Sequence, residues 1–148
     1  MAKRQPPPAD AAARFDAYYE EIFGERWKPL RQSMFEEHRQ VALEFPSLRP
    51  YFLDEASKLA ADILPVREGD SILDMCAAPG GKTLVLAAKL AGTGSLVSND
   101  RSATRRARLR TVLEEHLPQD FRRNIIVTGH DASRWGLHER EAYDHVLL

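Results

Sequence analysis

Cysteine is almost missing from this chain: Cys76 is the only one. No intramolecular disulfide can form, a zinc centre built on several thiolates is excluded, and a reducing intracellular setting is expected. Long apolar runs are missing too. No window approaches the roughly 18 apolar residues that a membrane-spanning helix needs, and Lys3 and Arg4 are not followed by the apolar stretch of a signal peptide. Neither sign of charge dominates, with 21 Lys and Arg against 22 Asp and Glu, so bulk charge does not announce a nucleic-acid partner. Internal repeats are absent, and the one biased segment is a short arm, residues 1 to about 12, holding Pro6, Pro7 and Pro8. These absences lead to the expectation of a cytoplasmic protein without membrane or metal, and they carry no signal for oligomeric state.

What remains is ordinary globular composition, 43% hydrophobic and 29% charged over 148 residues, enough for one core. Phe15, Tyr18, Tyr19, Ile22 and Phe23 recur at helical spacing until Gly24, and Leu30, Met34, Val41 and Phe45 continue the pattern to Pro46. Two short helices are expected there. A third follows from the stripe Leu53, Ala56, Ala60, Ile63 and Leu64, which stops at Pro65. Residues 13–66 thus read as a helical extension. Beyond them short apolar runs alternate with helical patterns: 71–75, helix 83–90, 95–98, an Arg-rich helix 102–116, 124–128 and 145–148. Strands alternating with helices imply right-handed crossovers and a parallel sheet. Such open sheets usually carry five or more strands, so 67–148 is expected to be an α/β half-domain truncated after about its fourth strand.

The stretch from Asp74 to Thr83, DMCAAPGGKT, lies at the first strand-to-helix junction, the ligand-binding end of such a sheet. Gly80 and Gly81 let the backbone turn tightly against a ligand, and the following helix offers free N–H groups and a positive dipole end. Lys82 adds a full positive charge suited to a carboxylate or phosphate. A phosphate loop of the form Gly-x-x-x-x-Gly-Lys-Ser/Thr is matched only at its tail, because Cys76 stands at the leading glycine. The dinucleotide pattern Gly-x-Gly-x-x-Gly is absent. Asp100, about 20 residues on at the end of the next strand, is placed to accept both hydroxyls of a ribose. A cofactor with a ribose and a carboxylate but no phosphate fits the pair Lys82 and Asp100.

The segment CAAPGGKT, followed by SND and the spaced arginines of RSATRRARL, resembles the Sun/Nop family of RNA 5-methylcytosine methyltransferases. FDAYYEEIFGERWKPLR and YFLDEASKLAADIL are most similar to the branch with mitochondrial ribosomal-RNA members. The resemblance implies a Rossmann-like methyltransferase fold binding S-adenosylmethionine. It implies that Cys76, Ala77, Ala78, Pro79, Gly80, Gly81 and Lys82 surround the methionine part, with Lys82 near its carboxylate. Asp100 would hold the ribose, Arg105 would help close the site, and Asp131 would sit by the adenine amino group, with Ala132 where family members often have glycine. The partner implied is RNA, most directly ribosomal. The family's chemistry needs a thiolate, because cytosine C5 becomes nucleophilic only after sulfur adds to C6. The Pro-Cys and Thr-Cys-Ser-type motifs that supply it would lie beyond Leu148, so no residue here is assigned a catalytic role and the 148 residues are expected to be inactive. The rival readings are a truncated, non-catalytic module binding cofactor or RNA, and an ATP-dependent phosphate-loop enzyme.

Other residues receive plainer readings. Cys76 is expected to be a small buried residue beneath the turn. Asp74 either accepts loop N–H bonds or touches the cofactor. The arginines at 101, 105, 106, 108 and 110 spread over several helix faces, of which one could meet RNA while others are solvated. His116, His130 and His138 receive no metal or catalytic role, and Trp27 and Trp135 are expected to anchor packing rather than stack on bases.

Overall fold

The computed structural model describes residues 10–37, 39–137 and 139–148; Pro6, Pro7, Pro8 and His138 lie outside the described residues. Two compact units divide the chain, Met1–His38 and Arg39–Leu148.

In the first unit, α1 (Ala11–Phe23) and α2 (Trp27–Ser33) are joined by a short 3-10 turn at Gly24–Arg26. Gly24 has φ +55°. The buried indole of Trp27 lies 5.0 Å from the Tyr19 ring and 5.6 Å from that of Phe15, so the aromatic stripe read from the sequence converges on one ring. Arg31 closes the pair with a 2.6 Å bond to Asp16.

The helical expectation fails in the second unit, over the end of the second predicted helix and the start of the third. Residues Gln40–Leu43 (β1) and Tyr51–Asp54 (β2) pair as an antiparallel hairpin. Val41 and Leu43 alternate with exposed Gln40 and Ala42, a period of two that the helical spacing of Val41 and Phe45 conceals. α3 (Glu55–Asp62) then begins directly at the end of β2. The hairpin and α3 belong with the sheet rather than with the first unit, because Phe45, Leu53 and Ala61 enter the same core as the sheet residues. Hence the division falls at 38/39, where 66/67 was expected.

The sheet contains β3 (Ser71–Asp74), β4 (Ser95–Asn99), β5 (Ile125–Thr128) and β6 (His145–Leu147). All four are parallel, in the order β5-β4-β3-β6. α4 (Gly81–Leu90) links β3 to β4; α5 (Ala103–His116) and the short α6 (Gln119–Arg122) link β4 to β5. Strands add outward from β3 on one side, and β6 then adds on the other. The order therefore reverses at β3, and ligands of such sheets bind at that reversal, beyond the C-terminal strand ends.

The register assigns the two sheet faces. Ile72, Leu96 and Ile125 align across one face and join Leu84, Leu86, Leu109 and Leu113 of α4 and α5 in the core. Leu73, Val97, Ile126 and Val146 align across the other face, where Ile126 is 59% and Val146 50% exposed. α4 is covered on most of its circumference, with six of its ten residues buried, which is why its sequence is apolar with little amphipathic pattern. Lys89 reaches back from it to the carbonyls of Asp62 and Leu64, at 2.6 and 2.5 Å, satisfying the open end of α3.

The turn before β4 leaves no room for a side chain. Gly94 has φ +62°, and a Cβ there would fall 2.2 Å from the Asp70 carbonyl oxygen, the acceptor of the Ser95 N–H. Gly94→Ala should destabilise the protein by about 3 kcal/mol, lowering Tm by roughly 10 °C in a thermal melt. Gly136→Ala, where nothing lies within 4 Å, is the control and should leave Tm nearly unchanged.

Candidate cofactor site

Parallel strands bring all four C-terminal ends to one edge, and Asn99 ties three of them together. Its side-chain amide, 1% exposed, donates to the carbonyls of Met75 and His130, each at 3.1 Å. Its oxygen accepts from Thr128 Oγ1 at 2.9 Å and from the His130 N–H at 2.8 Å. The Asn99 main-chain carbonyl also accepts the Ala77 N–H at 2.8 Å. The loop after β3 and the loop after β5 are thus both fastened to the end of β4.

The loop from Met75 to Gly80 is built over Asp74. Asp74 Oδ2 accepts the hydroxyl of Thr83 at 2.8 Å, and its carboxyl also receives the Cys76 N–H. Asp74 therefore accepts loop hydrogen bonds, the first of its two sequence readings. Gly80, with φ +121°, lies 3.0 Å from Leu109 and Val112 measured from a built Cβ, so the loop rests directly on α5. The next three residues open α4, whose first N–H groups lack helical acceptors and point out of the helix end.

The expected site residues fall in three adjoining places. Cys76, Ala77, Ala78, Pro79, Gly81 and Lys82 line a cavity of about 270 Å³, whose far wall includes Tyr51, Asp54 and Ser57. Cys76 is exposed there, which corrects the buried reading: the thiol faces the cavity while the neighbouring Ala77 and Ala78, each 5% exposed, point inward. Asp131 lines a second cavity of about 310 Å³ with His130, Arg134 and Trp135. Arg105 lines a smaller one with Ala78, Pro79 and Arg108.

Asp100 lines none of these three; its carboxylate, 5% exposed, is held beside the Arg105 that lines the smallest. Oδ1 accepts the Ser102 N–H at 2.9 Å, and Oδ2 lies 3.3 Å from Arg105 Nε. Arg105 in turn donates to the Ala78 carbonyl at 2.6 Å. Lys82 and Asp100 thus do not share a cavity wall, and Asp74 stands within the electrostatic reach of both. Because β3, β4 and β5 are neighbours, Lys82, Asp100 and Asp131 follow one another along the rim in that order.

The acids differ in charge state. Burial pushes the Asp74 carboxyl up to about 6, with a smaller push from the Asp100 charge, against the Thr83 hydrogen bond and the Lys82 charge. Asp131 goes the other way: hydrogen bonds from the Ser133 hydroxyl and N–H, with the charges of Arg101 and Arg134, hold its carboxyl below the usual range. Asp131 remains an anion with one oxygen, Oδ1, committed to Ser133.

Thr83 decides between the two loop chemistries. A phosphate loop turns this hydroxyl toward a metal-bound phosphate. Here Thr83 is 0% exposed and donates inward to Asp74. The phosphate-loop reading is not supported.

Comparison with known proteins places the chain in a family. Residues 61–148 match the family described as 16S rRNA methyltransferase RsmB/F. The chain belongs to this family. Among curated relatives it is 43% identical over 100 residues to the 5-cytosine rRNA methyltransferase NSUN4 of Mus musculus, covering 66% of this chain and 26% of that protein. The chain thus spans about a quarter of the length of the relatives it matches. The solved structure of PH0851 covers 97% of this chain and 44% of its own, with a TM-score of 0.67 at 16% identity, a likeness of fold. The structure of NSun6 from Pyrococcus horikoshii with SFG is 29% identical, covering 55% of this chain and 20% of its own, with a TM-score of 0.50.

Asn99, the hairpin wall and Trp135 had no site role in the sequence reading. Trp135 is buried, as expected of a packing anchor, yet also lines the Asp131 cavity. Asn99 stands inside the quoted SND segment, and its place before the acid was the available signal.

Asp74 gives a pH test. A raised carboxyl binds its proton more tightly in the native state than in the unfolded chain. Its contribution to stability is therefore complete below the ordinary value of 3.8 and is lost as pH rises through about 6. Asp74→Asn keeps the Thr83 acceptor and removes the charge, so it should gain on wild type by about 2.5 kcal/mol between pH 4 and pH 8. Urea unfolding of both proteins at those two pH values checks this; a difference independent of pH contradicts it.

Proposed function

We propose that these residues form the S-adenosylmethionine-binding part of an RNA cytosine-5 methyltransferase acting on ribosomal RNA. The observation that carries the reading is the ordered series along the rim. A cation at a glycine-opened helix start, a buried acid at the next strand end and an ionised acid at the third match a carboxylate, a ribose diol and an adenine amine. The cofactor, when bound, supplies an electrophilic methyl group.

The donor set fits that molecule. Lys82 and the first N–H groups of α4 would hold the carboxylate, while the lone pairs of Asp100 not used by Ser102 and Arg105 would accept ribose hydroxyls. Asp131 Oδ2, 3.8 Å from the exposed Arg101 guanidinium, would accept from the exocyclic amine. Arg105 acts by holding Asp100 against the loop carbonyl rather than by contacting the ligand alone. Proximity of a second acid, Asp74, is offset by the Thr83 hydroxyl, the Cys76 N–H and the Lys82 charge, which all favour its carboxylate. RsmB/F membership and the name of the NSUN4 relative support ribosomal RNA as the substrate, and cytoplasmic residence belongs to the same proposal. Among the described residues no helix is long and apolar enough to cross a membrane.

The only thiol in the sequence is Cys76, and its place beside the proposed carboxylate site leaves it no role at a cytosine C6. The 148 residues are accordingly read as binding cofactor without transferring its methyl.

Calorimetry should detect S-adenosylmethionine and give no response to Mg-ATP. Lys82→Ala and Asp100→Ala should each weaken binding by about 1.5 to 3 kcal/mol, the worth of a hydrogen bond to a charged group. Mg-ATP binding with no response to S-adenosylmethionine would reverse the assignment.

A further inference from the structure

We propose that the β1–β2 hairpin and the start of α3 complete a zwitterion-binding cleft against the glycine loop, with Asp54 receiving an α-ammonium group and Lys82 the adjacent carboxylate. The inference rests on the cofactor reading and extends it to residues upstream of the loop, fixing the amino-acid end of the ligand as the part recognised there.

The cleft is a built one. Its first wall is the loop from Cys76 to Lys82, its second the strand residues Tyr51 and Leu53 with Asp54 and Ser57. The walls have a fixed spacing: a Cβ built on Gly81 falls 3.0 Å from Tyr51 Cε1 and 3.6 Å from Leu53 Cβ. Leu53 is 7% exposed and sits in the core, and Tyr51 packs edge-on against His116, their rings 5.1 Å apart. His116 itself bonds the Arg49 carbonyl at 2.9 Å. The hairpin is thereby pinned to the end of α5 while its other surface borders the cavity.

Two opposite charges line this cleft without pairing. Asp54 caps the N-terminus of α3 by position, yet its side chain makes no capping hydrogen bond, forgoing a contact worth about 1 kcal/mol. Neither Asp54 nor Lys82 takes part in an ion pair among the described residues. A rigid cleft bearing one available anion and one available cation selects a ligand bearing both charges close together. A phosphate or a simple carboxylate would satisfy Lys82 and be repelled by Asp54; a neutral group would leave both charges uncompensated. The α-amino acid end of the proposed cofactor carries the required pair, and the Ser57 hydroxyl adds a neutral donor on the same wall.

Calorimetric titration of the 148-residue chain with S-adenosylhomocysteine and with 5′-methylthioadenosine, which lacks the amino-acid end, tests this. Wild type should prefer the first ligand. Asp54→Asn should weaken it about tenfold and leave 5′-methylthioadenosine unchanged, with a circular-dichroism melt matching wild type because Asp54 is exposed. An Asp54→Asn protein that keeps its full preference, or loses affinity for both ligands equally, overturns the inference. Equal wild-type affinity for the two ligands also overturns it while sparing the adenosyl reading, whereas wild type binding neither ends the cofactor reading and this inference together.

Discussion

The Asn99 side chain uses all of its hydrogen-bonding capacity on the ends of neighbouring strands, two donors to Met75 and His130 and two acceptor contacts from Thr128 and His130. A buried amide so fully satisfied is stable only in one arrangement of its partners, since any strand slipping by a residue would strand polar groups away from water. The loop after β3, Asp100 and the segment reaching Asp131 all inherit their positions from it. Arg105 adds a second tie across the surface, from Asp100 to the Ala78 carbonyl. The rim is rigid because its polar groups hold one another and its apolar side rests on α4 and α5.

Charge is distributed with equal economy. Three acids stand along this edge, and each has its own surroundings. Burial raises Asp74, and Asp131 is kept ionised by Ser133 and the arginines around it. Asp100, between them, is screened by an arginine that also serves as a strut. Asp74 accepts the Thr83 hydroxyl beneath the loop, Asp100 is held by Ser102 and Arg105, and Asp131 stands at the far end beside Ser133 and Arg101. A net charge of -1 for the chain says nothing of this; the local arrangement carries the information.

Much of the sheet was legible because buried parallel strands write themselves as short apolar runs between turn residues. Ile72, Leu96, Ile125 and Leu147 lie in such runs, and the helix from Gly81 to Leu90 began two residues before its expected start because glycine hides a helix opening. The hairpin was not legible. Val41 and Phe45 sit four residues apart, and a four-residue strand offers too few alternations to outweigh that spacing. The helix opening at Gly81 and Lys82 and the strand end before Asp100 could be read because residue type and position restrict what they do. Cys76 could not, since its exposure depends on which way the turn over Asp74 rolls. Asn99 looked like the last residue of a strand, and its role exists only once β3, β4 and β5 lie side by side. The place of Asp54 was hidden for the same reason, more than 20 residues before the loop whose cavity it lines.

The central claim is that three strand ends present one continuous surface to a single ligand. Amide chemical-shift mapping of the chain titrated with S-adenosylhomocysteine addresses it directly. Perturbations should appear together, at one saturation midpoint, in the segments around Ala77–Lys82, at Asp100 and Ser102, and from His130 to Ser133. Shifts confined to one of these segments, or segments saturating at different concentrations, would contradict it.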